Sequence, residues 1–113
     1  MNENIDNLIT SLKAGNTSFA EVLAFIDKDY LHTPTVFKNG EAYNEATQNQ
    51  GSAKVFAFAI INNINEEDAL YLFAEHYQAV LATPEAADHQ NIRQFIINGF
   101  AGIEFESVAL TAR

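Results

Sequence analysis

The sequence predicts a mainly helical α+β domain: about five helices and a small antiparallel hairpin or sheet, with residues 1–113 forming one unit. Three observations predict it. Apolar residues recur at helical spacing through most of the chain. A polar stretch in the middle carries a hairpin signal, and a short alternating run lies near the end. No linker, internal repeat or low-complexity tract divides the 113 residues, and folding a chain of that size buries roughly 65% of its unfolded surface.

The elements follow in order. Ile5, Leu8, Ile9 and Leu12 fall at i, i+3, i+4 and i+7, the stripe of an amphipathic helix. Gly15 and Asn16 offer a left-handed stop beyond it. Ser18 and Glu21 have the spacing of a capping box, and Phe19, Val22, Leu23, Ile26 and Tyr30 carry a second stripe. Pro34 blocks further helix. Asn39-Gly40, between Thr35-Val36-Phe37 and Ala42-Tyr43, signals a tight hairpin. The amide-rich stretch Asn44 to Gln50 then reads as irregular. Ser52 is expected to cap a third helix with Phe56, Ala59 and Ile60 on one face. Asn65 caps a fourth, with Leu70, Phe73, Tyr77 and Leu81 inward and Pro84 past its end. Asp88 is expected to cap the last, carrying Ile92, Phe95 and Ile96 and stopping at Gly99. Ile103-Glu104-Phe105-Glu106 alternates like a half-buried strand that can join the hairpin, and Arg113 ends a tail expected to fray.

Composition narrows function. Six basic against fifteen acidic residues give a formal charge of −9. A duplex-binding surface needs clustered cations to displace counterions, so neither nucleic acid nor an anionic membrane is an expected partner. No apolar run approaches the ~20 residues of a membrane span, and no secretory leader is evident, so a cytoplasmic monomer is expected. With no cysteine, disulfides and thiol chemistry are excluded.

Four places could carry chemistry. Gly51-Ser52-Ala53-Lys54 opens a helix, where free N–H groups and Lys54 could hold an anion; the competing use of Ser52 is as a plain cap. The spacing is not that of a P-loop. In Asp88-His89-Gln90-Asn91-Ile92-Arg93, His89 and Arg93 are four apart on one flank and Asn91 lies nearby, so the group could line a cleft. Arg93 could equally serve a structural ion pair, with Glu45 the expected partner. The histidines His32, His76 and His89 match no zinc template, so no metal or cofactor is expected. Asn44, Glu45 and Asn49 lie in the amide-rich stretch, where Asn and Gln either order the loop or read a polar ligand. Glu45 is the ionisable group there, hence its acid–base candidate.

Thr33-Pro34, Phe37, Asn39-Gly40, then Asn44-Glu45-Ala46, Asn49, Gly51-Ser52, Lys54 and Phe56-Ala57-Phe58-Ala59, then Asp88 to Arg93 with Phe95 resemble the HopJ type III effector family. The resemblance runs from the second helix to about Phe105 and departs at Ala53, where cysteine is usual, and Phe100, where tryptophan is usual. It implies no defined activity. It does imply an alternative location, export into a host cell, and the Asn, Thr and Ser of residues 1–18 suit an export segment. An amphipathic helix over Ile5 to Leu12 argues instead for a resident cytoplasmic protein.

Two functions stay open. One is a binding or interaction module for a small polar or anionic ligand or a protein, using Asn44, Glu45, Asn49, Ser52, Lys54, His89, Asn91 and Arg93. The other is an enzyme with Glu45 and His89 as acid–base pair. Both require the mid-chain stretch to fold back onto the start of the final helix.

Overall fold

The computed structural model describes residues 3–113. Met1 and Asn2, the start of the segment with export-type composition, lie outside the described residues. Helix α1 (Glu3–Lys13) buries Ile5, Leu8, Ile9 and Leu12. It closes in a Schellman turn: Gly15, at φ +78°, donates to Leu12 O and Asn16 donates to Ser11 O. Helix α2 (Phe19–Asp29) starts at Ser18, whose Oγ accepts from Glu21 N–H at 3.3 Å. The Glu21 carboxylate takes the Ser18 hydroxyl rather than its N–H, so the box closes differently from the standard one.

The mid-chain hairpin forms between β2 (Phe37–Asn39) and β3 (Ala42–Asn44), one residue later than the Asn-Gly signal suggests. Asn39 is the last strand residue and pairs with Ala42, leaving Gly40-Glu41 as the turn. Strand β4 (Ile103–Phe105) adds to the other edge, giving the antiparallel order β3-β2-β4. A second, two-stranded sheet forms where the sequence pattern predicts none. Tyr30 leaves the α2 stripe to begin β1 (Tyr30–His32), which pairs with β5 (Leu110–Ala112). The tail is therefore tied down, and Arg113 donates to the carbonyls of Asp29 and Asp27.

Helix α3 (Gln50–Ile61) is the central element, with Ala53 and Val55 to Ala59 buried. A helix apolar nearly all round belongs inside a core. Phe56 is its hub, its ring 6.3 Å from Phe37, 5.3 Å from Phe73 and 5.0 Å from Phe95. Ile60, assigned inward by spacing, is 46% exposed.

The single helix expected after Asn65 is two: α4 (Glu66–Tyr71) and α5 (Glu75–Ala82). Asn65 does cap the first, its Oδ1 accepting from Asp68 N–H at 2.8 Å. Leu72, Phe73 and Ala74 are then all buried. The chain breaks there, at Ala74, whose φ is +50°. The break turns Leu81 outward, 52% exposed. Helix α6 (Gln90–Asn98) ends at Gly99 as expected and runs into a 3-10 turn, Gly99–Gly102. It buries Ile92 and Phe95 but leaves Ile96 exposed, burying Asn91 and Gln94 instead. No helix among the described residues is long and apolar enough to cross a membrane.

Candidate functional site

The amide-rich loop first orders itself. Gln50 accepts from Thr35 N–H and donates to the carbonyls of Thr35, Glu45 and Gln48. Gln48 in turn accepts from Glu45 N–H. This local clamp fixes Asn49 at φ +50°, ψ +36°, a region that Asn tolerates. Helix α3 therefore begins at Gln50, with Asn49 as N-cap, and Ser52 sits inside the first turn rather than capping it. A similar displacement occurs at α6. Asp88 does not cap, because Arg93 draws its carboxylate away at 2.8 Å. His89 becomes the N-cap at φ +52°, ψ +47°.

Neither N-cap side chain bonds its helix. The first helical N–H donors are Ala53 in α3, and Ile92 and Arg93 in α6. The N–H groups of Gly51, Ser52, Gln90 and Asn91 precede them, the orphan donors that every helix start carries. These four residues line one recess of about 770 Å³. Further walls come from β3 and the loop behind it, among them Tyr43, Asn44, Gln48 and Asn49, and from Phe19, Phe73, His76 and His89.

A buried amide cluster joins the two segments. Asn44 and Asn91 bond each other in both directions, at 3.1 and 3.0 Å. Asn39 donates to the Asn91 carbonyl at 2.7 Å, and Asn49 donates to Asn44 Oδ1 at 2.8 Å. The aromatic side is a ring ladder: Phe73 to Phe19 at 5.9 Å, Phe19 to His76 at 4.9 Å, and His76 to His89 at 5.2 Å. Among the described residues no Asp or Glu lines the recess, in a chain with fifteen of them. Two carboxylates lie close by and are engaged elsewhere. Glu75 accepts from Phe19 N–H at 2.7 Å. Desolvation works against its charge, but the N–H bonds from its own backbone and from Phe19, with His76 beside it, hold the carboxyl below its ordinary value. The bond from Arg93 holds Asp88 low in the same sense, against desolvation, with His89 adding to the effect.

The structure thus brings together Asn44, Asn49, Ser52, His89 and Asn91. It places three other candidates elsewhere. Lys54 pairs with Asp27 at 3.0 Å. Arg93 bonds Thr83 and Asp88, not Glu45: Asp88, five residues back in its own segment, holds the guanidinium at 2.8 Å. Glu45 is exposed and does not line the recess that His89 lines. Sequence reasoning named the segments that hold Gln48 and Gln90 but passed over Phe19, Tyr43 and above all His76. The last was set aside as a metal ligand by its spacing, and among the described residues no cluster of three or more His, Asp or Glu side chains suits a metal. Nothing at 13-residue spacing announces that His76 and His89 meet; the α5–α6 reversal after Pro84 brings them together.

Fold and recess together define a small α+β domain with a polar cleft between its mid-chain loop and the start of its last helix. Comparison with known proteins gives it a family. The family model for the HopJ type III effector protein matches residues 5–110, and the chain belongs to the HopJ family. Among solved structures it is similar to the crystal structure of the unknown-function protein VPA0580, with 39% identity and a TM-score of 0.87 over 100% of this chain and 95% of that one. A comparison with the curated proteins finds no match.

Proposed function

We propose that this HopJ-family chain is a binding module for a small polar or anionic ligand, and that it works in the cytoplasm as a monomer. The observation that carries the reading is the convergence of two helix starts, neither capped by a side chain, on a recess without a carboxylate. Helix N-termini favour negative charge through their free N–H groups and partial positive charge. The overall charge of −9 opposes an anion only weakly at this point. Exposed charges are screened over about 8 Å at physiological ionic strength, and the groups nearest the ligand decide.

The test is thermal denaturation with and without inorganic phosphate, beside Ser52→Asp. A carboxylate in the first turn of α3 complements the helix dipole, so the variant should melt no lower than the parent. It should also place negative charge in the recess and remove the stabilisation that phosphate gives the parent. Equal phosphate response in parent and variant, or none in the parent, overturns the reading.

A further inference from the structure

We infer that the ligand is a nucleoside monophosphate, its planar base resting on the rings of His76 and His89. The anionic arm rests on the function proposed above; the base is argued from separate observations. The first is the ring ladder, which runs from the buried Phe73 through Phe19 and His76 to His89, with successive centroids 4.9 to 5.9 Å apart. The His89 side chain at its outer end is 33% exposed, and Tyr43, 58% exposed, lines the same recess. A flat ring gains stacking contact on such surfaces whatever its edge pattern.

The second observation concerns edges. Three exposed amide side chains around the recess keep atoms that no protein group bonds, among the described residues. Gln48 accepts one bond through Oε1 and its Nε2 donates none. Asn49 donates through Nδ2 while its Oδ1 accepts none, and Gln90 donates to Ala87 O while its Oε1 accepts none. An amide with a free donor beside amides with free acceptors suits a heterocycle whose edge alternates the two. A simple sugar phosphate would leave the ring ladder uncovered, and an aliphatic acid would leave the amides unread. The volume, about 770 Å³, lies in the range that encloses ligands of this size. A nucleic acid strand is a poorer occupant, because its successive phosphates would run out over an acidic surface.

The experiment is isothermal titration of the full chain with the four common nucleoside monophosphates, ribose 5-phosphate and inorganic phosphate. Two variants accompany it. His89→Asn removes a ring while keeping a residue that tolerates the left-handed backbone, and Tyr43→Ser changes an exposed strand residue. Circular dichroism melts confirm that both fold. At least one nucleotide should bind about tenfold to a hundredfold tighter than ribose 5-phosphate, the margin that base stacking supplies. His89→Asn and Tyr43→Ser should each shrink the margin by which the nucleotide outbinds ribose 5-phosphate, His89→Asn the more strongly. If ribose 5-phosphate matches every nucleotide, the base is not recognised and this inference fails while the anion reading stands. If neither nucleotides nor phosphates bind, both fail.

Discussion

Asn44, at the end of β3, and Asn91, in the first turn of α6, exchange side-chain hydrogen bonds in both directions across 47 residues of sequence. Both are buried, so each amide has replaced its water with the other. Asn44→Ala would leave Asn91 Nδ2 without its acceptor and strip Asn49 of its own, at about 1–3 kcal/mol. Asn91→Ala should destabilise by a similar amount. Because the pair shares one set of bonds, the double variant should lose less than the two single losses combined, with a coupling of about 0.5–3 kcal/mol in a urea-denaturation cycle. Strict additivity would show that the two amides are satisfied independently.

Gly99 ends α6 at φ +60°, ψ −156°, a conformation essentially reserved for glycine, and a Cβ there would land on the Glu66 carboxylate. That carboxylate is in use: it accepts from Phe100 N–H at 2.9 Å and so ties α4 to the 3-10 turn. Gly99→Ala therefore adds backbone strain and displaces a tie between elements. The expected loss is about 1–3 kcal/mol for the strain alone. Combining it with Glu66→Ala removes the clash but not the φ penalty, so thermal melts of the double variant should recover only part of the deficit. Full recovery would mean that the carboxylate, not the backbone, sets the requirement.

Acid stability follows from Glu75 and Asp88. Each carboxyl is held below its ordinary value, 4.5 and 3.8 respectively. A carboxylate with a lowered folded-state value stabilises the fold above its unfolded value and loses that contribution as pH falls through the folded one. The urea midpoint should therefore change little down to about pH 5 through these groups and decline below it. Glu75→Gln still accepts from Phe19 N–H but cannot titrate, so its decline should be shallower. An identical acid limb in parent and variant would show that the Phe19 bond does not depend on the Glu75 charge.

What was legible in the sequence divides along physical lines. The stripe of α1, the Asn65 cap, the stop at Gly99 and the joining of β4 to the hairpin all rest on local rules, and the structure bears them out. The failures are places where tertiary burial or a competing bond outranks local preference. Ser52 and Asp88 have cap chemistry, yet Gln50 clamps one loop early and Arg93 removes the other side chain from its helix. Helix α5 separates from α4 at the buried Ala74, where the backbone turns to a positive φ that no residue type there announces. At the candidate site, both segments could be named, since their polar residues stand out. The aromatic half could not. His76 and Phe19 look like ordinary helix residues, and their convergence is a property of the packed fold.

The C-terminal strand offers the sharpest separation between a draped tail and a structural one. Leu110 is buried and packs into the core, Ala109 O accepts from Thr33 N–H at 2.9 Å, and β5 covers β1 in register. Leu110→Ala removes a buried branched side chain against a well-filled surface, for which about 2–5 kcal/mol is expected. A domain of this kind holds only about 5–15 kcal/mol in all, so the variant should melt many degrees lower. Arg113→Ala removes an exposed side chain whose bond to the Asp27 carbonyl competes with water, and should move stability by less than about 0.5 kcal/mol. Deleting residues 109–113 should exceed Leu110→Ala, because it also strips β1 of its partner and exposes the strand edge. Parallel urea titrations of the three proteins give the order directly. A truncation no worse than Leu110→Ala would mean that the strand pairing adds nothing beyond the burial of one leucine.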